Sequence, residues 1–299
     1  MEGSLVKTIT SDCLELAGFW MKSNSHTALL HVHGTAGDFY THKFIEQEGL
    51  ALNKNKVSFL TVNTRGHDVY ADLRRHNGNN IEWKSIGGGF ETFEDCVLDI
   101  QAWVDFLMKQ GVKKIILQGH SLGAQKVLYF QYKTKNPIVV GQIHLSPQND
   151  AGYMLVKNRE KKYKEIDQVI KKLINDGKGK DLLPPELCII CPMSAITYSG
   201  YLLEDGSGTL HPYHNPASKN WKAFENMKES TLVVFGEKDS FINHSCKSKS
   251  VDEIVDLLKS KKTKDLTVKV IKDANHSYMG TEDELMRVII SWLQNRNKK

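Results

Sequence analysis

Ser121, Asp239 and His276 are the side chains whose types and order could carry out acyl transfer. A serine hydroxyl is a poor nucleophile at neutral pH, and it needs a base within about 2.6–3.2 Å to accept its proton. Imidazole titrates near neutrality, which suits His276 to that task, and a carboxylate behind the ring would fix its tautomer and stabilise the imidazolium. Ser121 stands in Gly119-His120-Ser121-Leu122-Gly123, after the apolar run 114–118 and before a helix-compatible stretch, 124–132. Strand, G-x-S-x-G and helix together meet the requirements of a nucleophile elbow, a turn so tight that the residues beside the serine must be small. Five residues with three fixed positions recur by chance; the setting is what gives the motif weight.

Three further segments place groups where such a serine would need them. The strand-like 27–33 runs into Gly34-Thr35-Ala36-Gly37. A glycine-bearing turn leaving a strand can aim backbone N–H groups at the negative oxygen of a tetrahedral intermediate. The N–H of Thr35 and that of Leu122 are the expected donors, and His33 is expected to shape the turn. Residues 231–235 read as a buried β-branched strand ending in Gly236-Glu237-Lys238-Asp239, and 266–271 as another ending in Asp273-Ala274-Asn275-His276. Asp239 is the preferred acid, with Glu237 on the same turn and Asp150 or Asn149 beyond the preceding strand as alternatives. Each group falls just past the carboxyl end of a strand, where open α/β sheets carry their sites.

The chain resembles the α/β-hydrolase superfamily over nearly its whole length. Its elbow and the order Ser121, Asp239, His276 match the superfamily pattern. Asn63-Thr64-Arg65-Gly66-His67-Asp68 is similar to the D-x-R-G-H-G turn of that group, departing from it at Asn63 and Asp68. Gly236-Glu237-Lys238-Asp239 resembles the G-x-x-D acid turn without the proline often found after it. Gly87-Gly88-Gly89 leading into Phe93-Glu94-Asp95-Cys96 is loosely like the siderophore-esterase-like branch. The resemblance implies an α/β-hydrolase fold, a cofactor-free serine hydrolase and a lid inserted before the acid-bearing strand. Epoxide hydrolases and dehalogenases of this kind carry an acidic nucleophile at the elbow, which this chain lacks.

Alternation of strand and helix patterns gives an α/β class with a mostly parallel central sheet. Residues 5–9 and 14–21 suit an antiparallel hairpin at the sheet edge. Runs 28–33, 57–62, 114–118, 139–145, 231–235 and 266–271 read as core strands, and 42–53, 93–110, 124–132, 251–260 and 282–294 as helices. From 148 to 230 no convincing core strand occurs, and the stretch is too long for a plain loop. It is expected to form a helical cap inserted in a core made of 1–147 and 231–299. Within it Tyr163, Ile166, Val169, Ile170 and Leu173 mark one apolar helix face against a lysine-rich opposite side expected to be solvated. His120, Tyr153, Met193, Tyr198 and Trp221 are the expected pocket residues, with Met154 and Tyr201 as further soft or aromatic surface.

Bulk properties exclude more than they assign. A chain of 299 residues with 40% hydrophobic and 25% charged residues can bury a full core. A net charge of +5, spread over many lysines without a basic arm or aromatic RNA motif, argues against a nucleic-acid partner. No apolar run approaches the roughly 18–20 residues of a membrane-spanning helix. Residues 1–11 lack the pattern of a secretory signal. Cys13, Cys96, Cys188, Cys191 and Cys246 are an odd, scattered set, so the cytoplasm is the expected compartment. Cys188-Ile189-Ile190-Cys191 has metal or redox spacing but no second ligand pair, and reads as two buried thiols. His211 and His214 lack a completing carboxylate, so no metal is expected. The leading function is hydrolysis of a carboxylic ester, thioester or related acyl bond of a small-molecule substrate. Amide or peptide hydrolysis, acyl transfer to an acceptor other than water, and non-catalytic binding on the same fold remain as alternatives.

Overall fold

A computed structural model describes residues 2–188, 190–244, 250–261 and 265–296, so Ile189 and Cys246 lie outside the described residues. Its strands are β1 (Ser4–Ile9), β2 (Glu15–Met21), β3 (Thr27–Val32), β4 (Ser58–Val62), β5 (Asp72–Asn77), β6 (Asn80–Ser85), β7 (Lys114–His120), β8 (Val139–Leu145), β9 (Ser230–Gly236) and β10 (Leu266–Ile271). The helices are α1 (Lys43–Lys54), α2 (Cys96–Lys109), α3 (Leu122–Thr134), α4 (Asp150–Asn175), α5 (Ala195–Tyr201), α6 (Lys222–Glu225), α7 (Ser240–His244), α8 (Val251–Ser260) and α9 (Glu282–Arg296). An eight-stranded sheet runs in the order β1-β2-β4-β3-β7-β8-β9-β10. β2 pairs antiparallel with β1 and β4, as the hairpin at one edge, and every later pairing is parallel.

Strands buried on both faces read as nearly continuous apolar runs, and every residue of β4 is buried. Alternation then divides them. Leu30, Leu60 and Leu117 face Trp103 of α2 and Val127 of α3. Leu29, Phe59 and Ile116 face the other way, onto Phe44 and Leu52 of α1 and Leu285 and Ile289 of α9. On β9 the same split sends Val233 and Phe235 toward α8, where they pack with Ile254 and Leu258.

Two features depart from the sequence reading. β5 and β6 form a separate two-stranded hairpin that the polar stretch after Asp68 did not suggest. All of β6 is exposed, so no alternating apolar signal exists there, although Asn77-Gly78 at its turn is a hairpin dipeptide. The segment between β8 and β9 also divides in two. α4 and α5 pack over Phe93 and Leu122 through Tyr163, Ile166, Ile170, Tyr198 and Tyr201. Leu210, Tyr213, Trp221 and Phe224 instead join Leu128, Val233 and Phe235 in the layer beneath β9. Within α4 the backbone breaks at Arg159 (φ 60°, ψ 158°), and Val169, expected on the apolar face, is 47% exposed.

Candidate active site

The elbow is built by close approach. A Cβ on Gly119 would lie 2.1 Å from the Gly123 backbone, and one on Gly123 would lie 2.3 Å from the Val32 carbonyl oxygen. No side chain fits at either place. The crossing holds Ser121 at φ 58° and ψ −124°, a backbone that costs on the order of 1–3 kcal/mol for a non-glycine residue. The Ser121 N–H donates to the Leu145 carbonyl at 2.9 Å, which anchors the turn to the end of β8. Leu122 opens α3, where the first N–H groups of a helix lack intrahelical partners.

Asp239 and His276 arrive from the next two loops and meet. His276 Nδ1 lies 2.7 Å from Asp239 Oδ2. The acid is fully buried, and its Oδ1 accepts the N–H of Phe241 at 3.0 Å and of Ile242 at 3.3 Å. Nδ1 therefore donates to the carboxylate, leaving Nε2 with its lone pair. The amide nitrogen of Gln148 donates toward Nε2 from 3.4 Å. The loop is tied to the elbow, because His120 Nε2 donates to the His276 carbonyl at 2.8 Å and the two rings stand 4.9 Å apart. Among the candidate acids, Asp239 is the one on the imidazole. Asp150 begins α4, and burial pushes its carboxyl up to about 7.

The turn after β3 comes to the same place. A Cβ on Gly34 would sit 2.8 Å from the Ser121 Cβ and 3.2 Å from its Oγ, so Thr35 is one residue from contact with the serine. His33 fixes the turn with both ring nitrogens: Nε2 accepts the Thr64 N–H at 3.1 Å, and Nδ1 donates to the Gly34 carbonyl at 2.8 Å. Behind Thr64 lies a buried ion pair. Lys126 Nζ is 2.8 Å from Glu91 Oε2, with both side chains almost wholly excluded from solvent, and it also donates to Thr64 Oγ1 at 3.4 Å. Burial raises the Glu91 carboxyl and the lysine opposes that.

The expected pocket residues separate. The Tyr153 ring lies tilted 6.0 Å from that of Phe241, whose ring is 4.9 Å from His276, so it stands beside the site. Met193 and Tyr198 are buried in the cluster that includes Leu122. Trp221 is a correction: it packs with Tyr213 and Phe224 in the layer beneath β9, its indole N–H donating to the Asn215 carbonyl, which makes it core. His120 is buried between His42, Phe44, Tyr278 and His276, where it braces the histidine loop instead of facing a ligand. Burial and the neighbouring histidines hold its ring well below the usual imidazole range.

Sequence reasoning missed the brace behind Gln148. Gln125 of α3 donates to the Gln148 carbonyl, and His211 Nδ1 donates to Gln125 Oε1 at 2.7 Å. No spacing rule joins residues so far apart in the chain. His214 lies 2.9 Å from Asn149 Oδ1. Cys188 and Cys191 are only partly buried, and burial raises the Cys191 thiol to about 11. Among the described residues, no cluster of three or more His, Cys, Asp or Glu could hold a metal ion. No helix among them is long and apolar enough to cross a membrane.

Comparison with known proteins adds a family to this geometry. The family model described as "Protein of unknown function (DUF1749)" matches residues 80–294, which is most of the chain. The chain belongs to the DUF1749 family. A UPF0613 protein of Schizosaccharomyces pombe is 26% identical over 179 residues, 54% of this DUF1749 chain and 57% of the relative's length. Among solved structures, the siderophore hydrolase EstB from Aspergillus fumigatus superposes with a TM-score of 0.69 at 17% identity, covering 99% of this chain and 98% of that one. Est1E from Butyrivibrio proteoclasticus gives 0.64 at 17% identity over the full length of both chains. The α/β hydrolase GrgF from Penicillium sp. sh18 gives 0.64 at 14% identity, with 99% of each covered. This DUF1749 protein therefore has the α/β-hydrolase fold.

Proposed function

We propose that this protein is a serine hydrolase that cleaves a carboxylic ester, thioester or related acyl bond of a small molecule. The observation that carries the reading is the 2.7 Å bond between His276 and the buried Asp239, in a loop tied to the residue before Ser121. Ser121 Oγ attacks the substrate carbonyl carbon while its proton passes to His276 Nε2. The oxygen that becomes negative is held by the N–H groups of Thr35 and Leu122. A peptide plane directs its C=O and N–H oppositely, so the bond from His33 to the Gly34 oxygen supports a Thr35 N–H aimed away from it, toward the serine. His276 then returns the proton to the leaving oxygen or sulfur as that bond breaks, giving an acyl-enzyme. Water attacks the acyl carbon, its proton goes to His276 and on to Ser121, and the acid leaves. Asp239 keeps the reactive tautomer throughout.

The part of the β8–β9 insertion that fits a cap is α4 with α5, which packs over Leu122. Residues from Leu210 to Phe224 share the core layer and would not move with it. A fluorophosphonate probe should label the wild-type protein and leave Ser121→Ala unlabelled. A p-nitrophenyl ester series should be turned over faster than matched peptide p-nitroanilides. An intact protein that resists both probe and esters would overturn the proposal.

A further inference from the structure

β10 ends the eight-stranded sheet, and its outer side has no strand partner among the described residues. The Thr231 N–H donates to the Asp265 carbonyl and the Glu237 N–H to the Ile271 carbonyl, each at 3.0 Å. Backbone groups alternate from side to side along a strand, so Thr267 and Lys269 turn theirs to β9 as well. Leu266, Val268 and Val270 therefore present their N–H and C=O groups outward, and Val270 is 39% exposed. An edge of this kind is a template for another strand. Beside it, on the α9 side, runs a groove of about 790 Å³ that carries both signs of charge: Asp265 and Glu284 against Lys269, Arg287 and Arg296. A ligand of one charge finds no single-signed pocket there, whereas a surface that meets its own copy needs both signs.

We infer that β10 is a self-association surface, on which a second copy of this chain adds its own β10 antiparallel about a two-fold axis at Thr267. In that register Asp265 of each copy faces Lys269 of the other, and Leu266 of each faces Val268, so opposite charges and apolar side chains both match. A lysine on an edge strand ordinarily discourages pairing, because two copies oppose like charges. Here the acid just before the strand turns the same lysine into a partner. The two-fold axis stands normal to the sheet, which brings the α9 helices of both copies to one face and closes the two grooves into a single seam. The opposite edge lacks this pattern. β1 carries Lys7 as its one charged residue, and that lysine already pairs with Glu15 of β2 at 2.7 Å.

The test is sedimentation velocity on the full chain, and it requires nothing of Ser121. Wild type should sediment as a dimer. Lys269→Glu opposes acid to acid and Asp265→Lys opposes base to base, so each variant alone should be monomeric. Mixed in equal amounts, the two should recover the dimer, because each supplies the charge that the other has lost. A misfolded variant could not do this, so the mixture separates a broken interface from a broken fold. A monomeric wild type overturns the inference and leaves the edge to an extended segment of another protein. A dimer that survives in either variant alone, or a mixture that stays monomeric beside a dimeric wild type, overturns it as well.

Discussion

Asp239 makes three hydrogen bonds with its two oxygens, one to the imidazole and two to backbone N–H groups, so its position is over-determined. Asp239→Asn would keep the shape and the loop but present an N–H to His276, which favours the wrong tautomer. The expected outcome is a fall of roughly 10⁴-fold in kcat with the fold retained, read by ester hydrolysis beside circular dichroism. The choice among three acids and Asn149 illustrates what a single chain can show. Glu237 shares the turn with Asp239, but its carboxylate accepts the Asp273 N–H at 3.0 Å. Asn149 caps α4 through the Gly152 N–H. Both of these side chains have other partners, which only the folded chain reveals.

Lys126, wholly buried on α3 and paired with Glu91, reaches Thr64, which in turn holds His33 at the turn after β3. Removing one partner of a buried pair leaves the other charge uncompensated, which costs about 3–5 kcal/mol. Lys126→Met should therefore lower the denaturant midpoint sharply. Glu91→Leu added to it should recover much of the loss, since the orphaned carboxylate goes too, and a double-mutant cycle would read the coupling. The arrangement also makes Arg65 intelligible. Its guanidinium spans Asp12 before β2 and Asp95 and Asp99 around the start of α2, at 2.9–3.0 Å. An arginine in a six-residue motif was visible in the sequence; that it clamps three separate elements was not.

For the molecule as a whole, the pH dependence of stability should be shaped by the core group under β3 and β7. Gln118 donates to Glu48 Oε2 at 2.7 Å and to His31 Nδ1 at 2.8 Å, all three being fully buried. Burial raises the Glu48 carboxyl to about 8 and lowers the His31 ring to about 3. A raised carboxyl holds its proton more tightly in the folded state, so its contribution is complete below the ordinary glutamate range and is lost as pH climbs toward about 8. A depressed imidazole has the opposite sign, contributing above the ordinary histidine range and failing as pH drops toward about 3. Each group can tilt stability by at most about 1.4 kcal/mol per pH unit. Glu48→Gln should flatten the decline between about pH 5 and 8, with little effect on the acid limb, in urea titrations across that range.

Read alone, the chain determined its class and the order of its candidate site residues. Apolar runs that must be covered on both faces specify parallel strands, and glycines around a serine specify a crossing too close for any side chain. Those are local demands, written in local residues. Which acid meets the imidazole, and that Trp221 is core and His120 a brace, were decided only by tertiary structure. Such facts depend on where the segment between β8 and β9 and the loops past β9 and β10 come to rest, and no periodicity encodes contacts between separate loops and layers.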